Sequence, residues 1–435
     1  MAVKSIVCCN TIAIAAACAA GTAAVHGAES TSLEQRLNQL ETQNRALREE
    51  LTSQRQLIHS LQEKLSSQQK QDSDTPSDRE VIEPAFKLGR LHISGEGGVA
   101  YFHSGSAGQY PDGSFRVDEA KLFFEAPLWE STYVFAELDV VTREANDEFF
   151  HLGELYIDFE NVLRRWTDLN LLSVRVGRID IPFGEEYLVR DVIDNPLVSH
   201  SLTDFWGIDE GIELYGSAIG FDYVIAVQNG GHPTLRDYDS DKSVAGRLGY
   251  NFGNFARLSF SGIRTGDLST DGDELSELWF GNGFFRSLGP GETTETFSAT
   301  VYELDAQFFW KTGHLKLVGG LYEYDDSDAT VDRSRDGQFY SAEVVQHATT
   351  KLYGAARFSQ IFADDGMPLI GHGDFGNYFY GPLTEDLWRL SIGLGYRWNE
   401  NLLAKVEYTF ERGELTNGME RDQHDFFGAE IGFKF

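Results

Sequence analysis

Two hydrophobic periods divide this chain, and the first of them is helical. One series of positions is spaced alternately by four and three residues and is apolar at all but two places: Leu33, Leu37, Leu40, Asn44, Leu47, Leu51, Gln54, Ile58, Leu61 and Leu65. Such heptads are typical of a left-handed coiled coil, in which a buried asparagine fixes the register. We therefore predict an α-helical coiled coil over 30–66, which requires partner chains. A lone amphipathic helix lying on the rest of the protein is the alternative.

From about Leu88 to the C-terminus, the period changes to two. In "TYVFAELDVV" (132–141) the apolar positions 134, 136, 138 and 140 alternate with Glu137 and Asp139, and "WRLSIGLGYRW" and "LLAKVEYTF" alternate in the same way. This alternation predicts β-strands with one apolar and one polar face. A soluble sandwich and a membrane barrel both fit any single strand, because in a barrel the apolar face meets lipid and the charged face lines water.

Sixteen segments follow the period of two. They are 88–101, 114–127, 131–142, 151–161, 171–179, 211–219, 221–229, 243–252, 254–264, 299–311, 314–325, 339–346, 350–360, 386–398, 401–412 and 426–435. Tight connections such as "KTGH" and "WNEN" alternate with long ones such as 265–300, and aromatic residues stand at several strand ends. These features are typical of an outer-membrane barrel. We predict an all-β fold, a transmembrane antiparallel β-barrel of about 16 strands, which is wide enough for an aqueous channel.

The two ends of the chain are consistent with export to an outer membrane. The N-terminus "MAVKSIVCCNTIAIAAACAAGTAAVHGAES" has one lysine and then a run of apolar and small residues, as in a secretory signal peptide, and it contains all three cysteines. The chain ends with "FFGAEIGFKF", whose last residue, Phe435, resembles the signal read by the barrel-assembly machinery. The predicted organisation is a signal peptide (1–28), the coiled coil (30–66), a flexible linker (67–87) and the barrel (88–435).

Charge and motifs exclude several classes of function. The formal net charge of −32 argues against binding to nucleic acid through a basic surface. The sequence contains no strong catalytic or metal-binding motif, so we predict that the protein is not an enzyme and has no cofactor. The acidic runs at 271–274 and 325–332 lack the glycine and distal glutamate of an EF-hand loop, which favours solvated charge over calcium binding.

The polar face of the strands carries both signs of charge. Among the basic residues in this phase are Lys121, Arg175, Arg389 and Arg397. Two interpretations remain open. The charges neutralise each other along the wall, or they create a transverse field that orients permeating solutes.

One segment, "VGRIDIPFGEE" (176–186), carries a family resemblance. With Gly177, Pro182, Phe183 and Gly184, it resembles the phosphate-selective porin O/P family, and the resemblance covers roughly 85–435. It implies a trimeric porin of sixteen strands whose long loops fold inward and narrow the channel. The candidates for the pore lining or constriction are Lys121, Arg175, Arg178, Glu185, Glu186, Arg190, Arg389 and Arg397. On the strand phase Arg178 would point at lipid, so the membrane must end near it.

The expected function is that of an outer-membrane porin that allows passive diffusion of small hydrophilic solutes or ions, with anions such as phosphate as one option. Its coiled coil would lie in the periplasm. The expected partners are outer-membrane lipid and lipopolysaccharide, the barrel-assembly machinery, and two further copies in a homotrimer. The alternative function is structural: the coiled coil would tether the outer membrane across the periplasm to peptidoglycan.

Overall fold

The computed structural model describes residues 86–88, 90–141, 150–167, 169–230, 241–269, 294, 296–327, 331–367 and 383–435. The predicted signal peptide and coiled coil, and the predicted linker up to residue 85, lie outside these residues. The first short strand, β1 (Phe86–Leu88), begins at the end of the predicted linker. Within the described ranges, no helix is long and apolar enough to cross a membrane.

Sixteen antiparallel strands form one closed barrel. They are β2 (Leu91–Ser104), β3 (Ser114–Trp129), β4 (Thr132–Val141), β5 (His151–Phe159), β6 (Ser173–Asp180), β7 (Ile208–Ala218), β8 (Phe221–Gln228), β9 (Ser243–Phe252), β10 (Ala256–Arg264), β12 (Thr296–Trp310), β13 (Gly313–Asp326), β14 (Arg335–His347), β15 (Leu352–Met367), β16 (Thr384–Asn399), β17 (Leu402–Leu415) and β19 (Phe426–Lys434). Each strand pairs with the next, and β19 closes the barrel on β2 with Glu430 opposite Ala100. The predicted barrel of sixteen strands is confirmed.

Short elements complete the described structure. Two-residue strands, β11 (Leu268–Ser269) and β18 (Glu420–Arg421), extend two of the loops, and one 3-10 helix spans Glu186–Val189. At the C-terminus, the backbone N–H and C=O of Phe435 exchange hydrogen bonds of 2.9 and 3.1 Å with Gly95. The last residue therefore extends the seam between the final and first barrel strands.

The apolar face of the strands points outward. Ile392 and Leu394 on β16 are 51% and 57% exposed, whereas Arg389 on the opposite face of the same strand is 4% exposed. The other strands also have their apolar face outside, with exposed residues such as Leu304 and Leu321. An apolar exterior around a charged interior suits lipid outside and water inside.

The wall of the barrel is uneven in height. Strands β4–β10 are 8 to 11 residues long, whereas β12–β17 are 13 to 16. Among the long strands β12–β17, β15 differs most in length from its prediction. It was expected to end at residue 360 and continues to Met367. A register shift lies between Phe362 and Met367, where Asp365 and Gly366 have φ of 61° and 80°. This bulge breaks the alternation from which the strand was predicted.

The connection between β6 and β7, residues 181–207, folds into the barrel, and we call it the inner loop. Its ends meet, because the Ile181 N–H donates to the carbonyl of Gly207 over 2.7 Å. Its residues Ile193, Leu197 and Val198 are buried. The described structure therefore has its apolar core between this loop and the barrel wall.

Candidate functional site

The tip of the inner loop is held by basic side chains of the tall wall. Lys405 Nζ donates to the carbonyl oxygens of Val192 and Leu197, both at 2.8 Å. Arg397 donates to the carbonyl of Ile193 over 2.7 Å, and Arg357 donates to the carbonyl of Ser199 over the same distance. Turns inside a barrel leave backbone carbonyls without partners, and these side chains supply the missing donors.

A buried carboxylate binds the backbone N–H groups of the same part of the loop. Glu407 Oε2, on β17, accepts hydrogen bonds from the backbone N–H groups of Val198 and Ser199, at 2.6 and 2.9 Å. Hydrogen bonds with a charged partner are stronger than neutral ones. Lys405 and Glu407, two positions apart on one strand, thus fix the carbonyls and the amides of the same short segment.

The face of the inner loop that packs against the barrel wall is apolar. Ile193 and Leu197 pack with Tyr353, Leu403 and Val345 of the wall. Further along the loop, the rings of Phe205 and Phe339 meet edge to face with centroids 4.6 Å apart. The loop therefore closes one side of the lumen and leaves the opposite side open.

The sequence motif lies at the start of the inner loop. Phe183 is buried against Phe205, with ring centroids 5.6 Å apart. Gly184 has φ of 71°, which favours glycine, and its carbonyl accepts a 2.5 Å hydrogen bond from Arg247. Pro182 stands just beyond the last paired residue of β6, where its missing N–H costs no ladder bond.

Gly177 of the same motif lies within β6 and permits a close approach of two strands. It has φ of 145°, and a Cβ there would lie 2.2 Å from the carbonyl oxygen of Leu155 on β5. Any side chain at this position would push against the neighbouring backbone. The glycine is thus required by the geometry of the wall.

The open side of the lumen contains a cavity between the inner loop and strands β3–β7. Its lining includes the aromatic residues Phe123, Phe135, Tyr187 and Trp206, together with charged residues of both signs: Glu119, Lys121, Glu137, Glu154, Asp180, Arg190, Asp191 and His200. Acidic groups outnumber basic ones. Loop and wall therefore face each other across a polar, mainly acidic opening.

Lys121 bridges the wall and the inner loop across one edge of this cavity. Its Nζ lies 2.9 Å from Glu119 Oε1, 3.5 Å from Glu137 Oε1 and 3.1 Å from Asp191 Oδ1. Burial alone would raise the pKa of the Asp191 carboxyl, but the Lys121 ammonium and a hydrogen bond from Glu96 together outweigh it, so this pKa is lowered. Asp191 is therefore ionised, and its bridge to Lys121 attaches the loop to β3.

The same edge is the one place among the described residues where a metal ion could be held. Oxygen atoms of Glu96, Glu119 and Asp191 lie within 4.8 Å of one another. Carboxylates are ligands that hard divalent cations prefer. The Lys121 ammonium already contacts two of the three side chains, so this group is occupied by the cation of the protein's own lysine.

Aromatic rings and one guanidinium group form a row that runs from the cavity across neighbouring strands. The centroids of Phe123 and Phe135 are 6.0 Å apart, and those of Phe135 and Tyr156 are 5.1 Å apart. The Arg175 guanidinium carbon lies 4.4 Å from the ring centroid of Tyr156 and 5.1 Å from that of Tyr215. Arg175 also forms ion pairs with Asp158 at 3.2 Å and Glu213 at 3.0 Å.

Two predicted site residues line the cavity, and two others in the inner loop have stabilising contacts. Lys121 and Arg190 line the cavity. Glu185 accepts from Arg257 at 2.8 Å, and Glu186 accepts from the Ser201 N–H at 2.9 Å. These two acidic residues stabilise the loop. Burial raises the pKa of Glu186, and it also raises the pKa of the adjacent Tyr187 to about 12, so that phenol is neutral.

Three basic residues that were predicted to line the pore do not face the open cavity. Arg178 lies on the outward phase of β6 with Val176, and its Nη1 pairs with Glu210 over 2.8 Å, so it does not line the lumen. Arg389 points inward but is buried against Glu411 at 2.7 Å. Arg397 points inward and is covered by the loop carbonyl that it binds. The strand phase predicted the correct side for each residue, but it could not predict which inward residues are buried by a neighbouring strand or by the loop.

The sequence interpretation missed several residues of the cavity. Phe123 and Phe135 share the strand phase of Lys121 and Glu137, so their phase could have placed them in the lumen. The loop residues Tyr187, Asp191, His200 and Trp206 carry no periodic signal. Glu96, within "GEGG" on β2, was not among the candidates taken from the sequence.

A closed sixteen-stranded barrel with an apolar exterior, a charged lumen and a loop folded inside defines the porin-like class of barrels. Three solved structures share this fold. The outer membrane channel DcaP of Acinetobacter baumannii is 10% identical, with coverage of 79% of this chain and 97% of that chain and a TM-score of 0.53. The trimer form of OmpT, an outer membrane protein of Vibrio cholerae, is 11% identical, with coverage of 79% and 99% and a TM-score of 0.51. The anion-selective porin from Comamonas acidovorans is 11% identical, with coverage of 79% and 98% and a TM-score of 0.50.

These similarities establish the fold alone, since the identities are so low. No protein-family model matches the chain, and no curated protein matches it in sequence. The resemblance to the phosphate-selective porin O/P family therefore stays a prediction.

Proposed function

We propose that this protein is an outer-membrane porin through which small hydrophilic solutes and ions diffuse passively, without catalysis. The observation that carries the proposal is the cavity between the inner loop and β3–β7, which is polar and lies inside a barrel with an apolar exterior. The inner loop is fixed by Lys405 and Glu407, which suits a permanent constriction better than a mobile gate.

The test of this proposal is single-channel recording of the purified full chain in planar lipid bilayers. Discrete conductance steps are expected in potassium chloride. Replacing Arg178, on the outer face, should leave the conductance unchanged, and Arg178→Gln is therefore the matched control for lumen variants. Absence of conductance from correctly folded protein would overturn the proposal.

A homotrimer is part of the proposal. Arg178 and Glu210 form an ion pair on the outside of the low wall, and their side chains are only 17% and 24% exposed. Charged groups on a lipid-facing wall are costly, and a neighbouring subunit would shield them. Support also comes from the trimer form in which the similar OmpT is described. Native mass spectrometry in detergent is the test, and a monomer would contradict it.

The tether hypothesis depends on the coiled coil, which lies outside the described residues. Deleting 30–66 separates it from the porin function. If the protein acts only as a porin, the deletion variant retains its conductance and the cell envelope stays intact. If the envelope becomes leaky or detached while conductance is retained, the tether is the principal function.

A further inference from the structure

The inner loop divides the charges of the lumen into two groups. On the side that it covers, the basic residues are already engaged: Arg357, Arg397 and Lys405 donate to loop carbonyls, and Arg257 binds Glu185. These cations hold the loop and face away from the open cavity. A solute in the cavity therefore meets a different set of charges from the one that the whole wall suggests.

The lining of the open cavity is acidic. Five acidic side chains line it, those of Glu119, Glu137, Glu154, Asp180 and Asp191, against two basic side chains and one histidine. The guanidinium of Arg190 is taken up by Asp204 at 2.7 Å, and His200 Nδ1 lies 3.0 Å from the same carboxylate. Lys121 is thus the one lining cation that opposes the carboxylates, and it already contacts three of them.

A buried acid stands behind this lining. The Glu96 side chain is nine-tenths buried, and its Oε1 has no hydrogen-bond donor among the described residues. Its carboxyl group lies in the group formed with Glu119 and Asp191. Glu96 donates a hydrogen bond to Asp191, which together with Lys121 keeps the Asp191 carboxylate ionised at the edge of the cavity.

The aromatic residues indicate which cations fit. Phe123, Phe135, Tyr187 and Trp206 line the same cavity. The protein places its own guanidinium groups on rings of this region: Arg175 lies on Tyr156, and Arg190 lies 4.5 Å from the centroid of Trp206. Ring faces attract guanidinium and ammonium groups, more strongly where water is excluded.

We propose that this constriction selects cations, and among them organic cations that carry a guanidinium or ammonium group on an apolar body. The carboxylates attract the charged group, and the rings of Phe123 and Phe135 contact the rest of the solute. Small anions, phosphate included, are repelled by the same carboxylates. This inference rests on the proposed porin function.

The first experiment uses the unaltered full chain in a bilayer under a potassium chloride gradient. The reversal potential is expected on the cation-selective side, and L-arginine is expected to permeate faster than L-glutamate in liposome swelling. A reversal potential of zero or of the anion-selective sign would overturn the inference and leave the porin function standing. Absence of any conductance would overturn the porin function itself.

Two variants then test the residues. Glu119→Gln/Glu137→Gln/Glu154→Gln is expected to lower the cation-to-anion permeability ratio roughly threefold or more. The control Glu323→Gln/Glu400→Gln/Glu420→Gln removes as many charges from exposed positions and should leave the ratio unchanged. Phe123→Leu/Phe135→Leu should reduce L-arginine permeation relative to potassium without changing the potassium-to-chloride ratio. Unchanged ratios in the first variant, or unchanged L-arginine permeation in the last, would contradict the assignment.

Discussion

The ammonium of Lys405 on β17 donates to the carbonyl oxygen of Leu197, 2.8 Å away at the tip of the inner loop. The same ammonium pairs with Glu430 on β19 at 2.9 Å. One buried lysine therefore joins the closing seam of the barrel to the loop that narrows it. The size of the opening and the stability of the wall depend on the same contact.

Replacing Lys405 with methionine should destabilise the protein and loosen the inner loop. The change leaves Glu430 and several loop carbonyls buried without their donor, a loss of about 3–5 kcal/mol in the free energy of unfolding. Denaturant unfolding of the protein in detergent measures this loss, and single-channel recordings should show noisier current. Lys351→Met, at an exposed turn, is the control. Equal stability of the two variants would contradict the bracing role of Lys405.

Replacing Gly177 with alanine should strain the wall between β5 and β6. The new Cβ would meet the backbone carbonyl of Leu155 at 2.2 Å, so two paired strands must separate, at a cost of roughly 2–4 kcal/mol. The control is Gly253→Ala, since Gly253 also has a positive φ, of 60°, but no atom within 4 Å of the added Cβ. Denaturant unfolding compares the two. A smaller loss at Gly177 than at Gly253 would show that the strand contact is relaxed in solution.

Arg178 and Glu210 should affect assembly and leave permeation unchanged. Arg178→Gln removes one partner of an ion pair on the outer face, so the subunit interface weakens while the lumen is unaltered. A double-mutant cycle with Glu210→Gln should give a coupling energy of about 1 kcal/mol in the stability of the oligomer. A change in reversal potential caused by either substitution would place these residues in the lumen.

The bridge from Asp191 to Lys121 should resist acidification. The pKa of Asp191 is lowered in the folded protein from its ordinary value of 3.8, so its contribution to stability is fully present above that value. It is lost only as the pH falls below 3.8, through the folded-state pKa. The difference in melting temperature between the unaltered protein and Asp191→Asn should therefore stay constant from neutral pH down to about 4. A difference that disappears near neutral pH would mean that Asp191 does not carry the bridge.

The sequence by itself determined the barrel. The period of two is a local property of each strand, and an apolar exterior follows wherever lipid replaces water, so the sixteen strands, their pairing order and the side of Arg178 were all predictable. The bulge in β15 was not, because Asp365 and Gly366 interrupt the alternation without ending the strand.

Only the tertiary structure decided which inward charges meet a solute. Arg389, Arg397 and Lys121 look equivalent along the chain, yet the first two are buried against partners and the third borders the open cavity. For Arg397 the difference comes from its contact with Ile193, which lies 204 positions away in the chain, and the bridge from Lys121 to Asp191 spans 70 positions. Contacts of this range depend on how the inner loop folds back on the wall, and no local pattern in an irregular loop encodes that path.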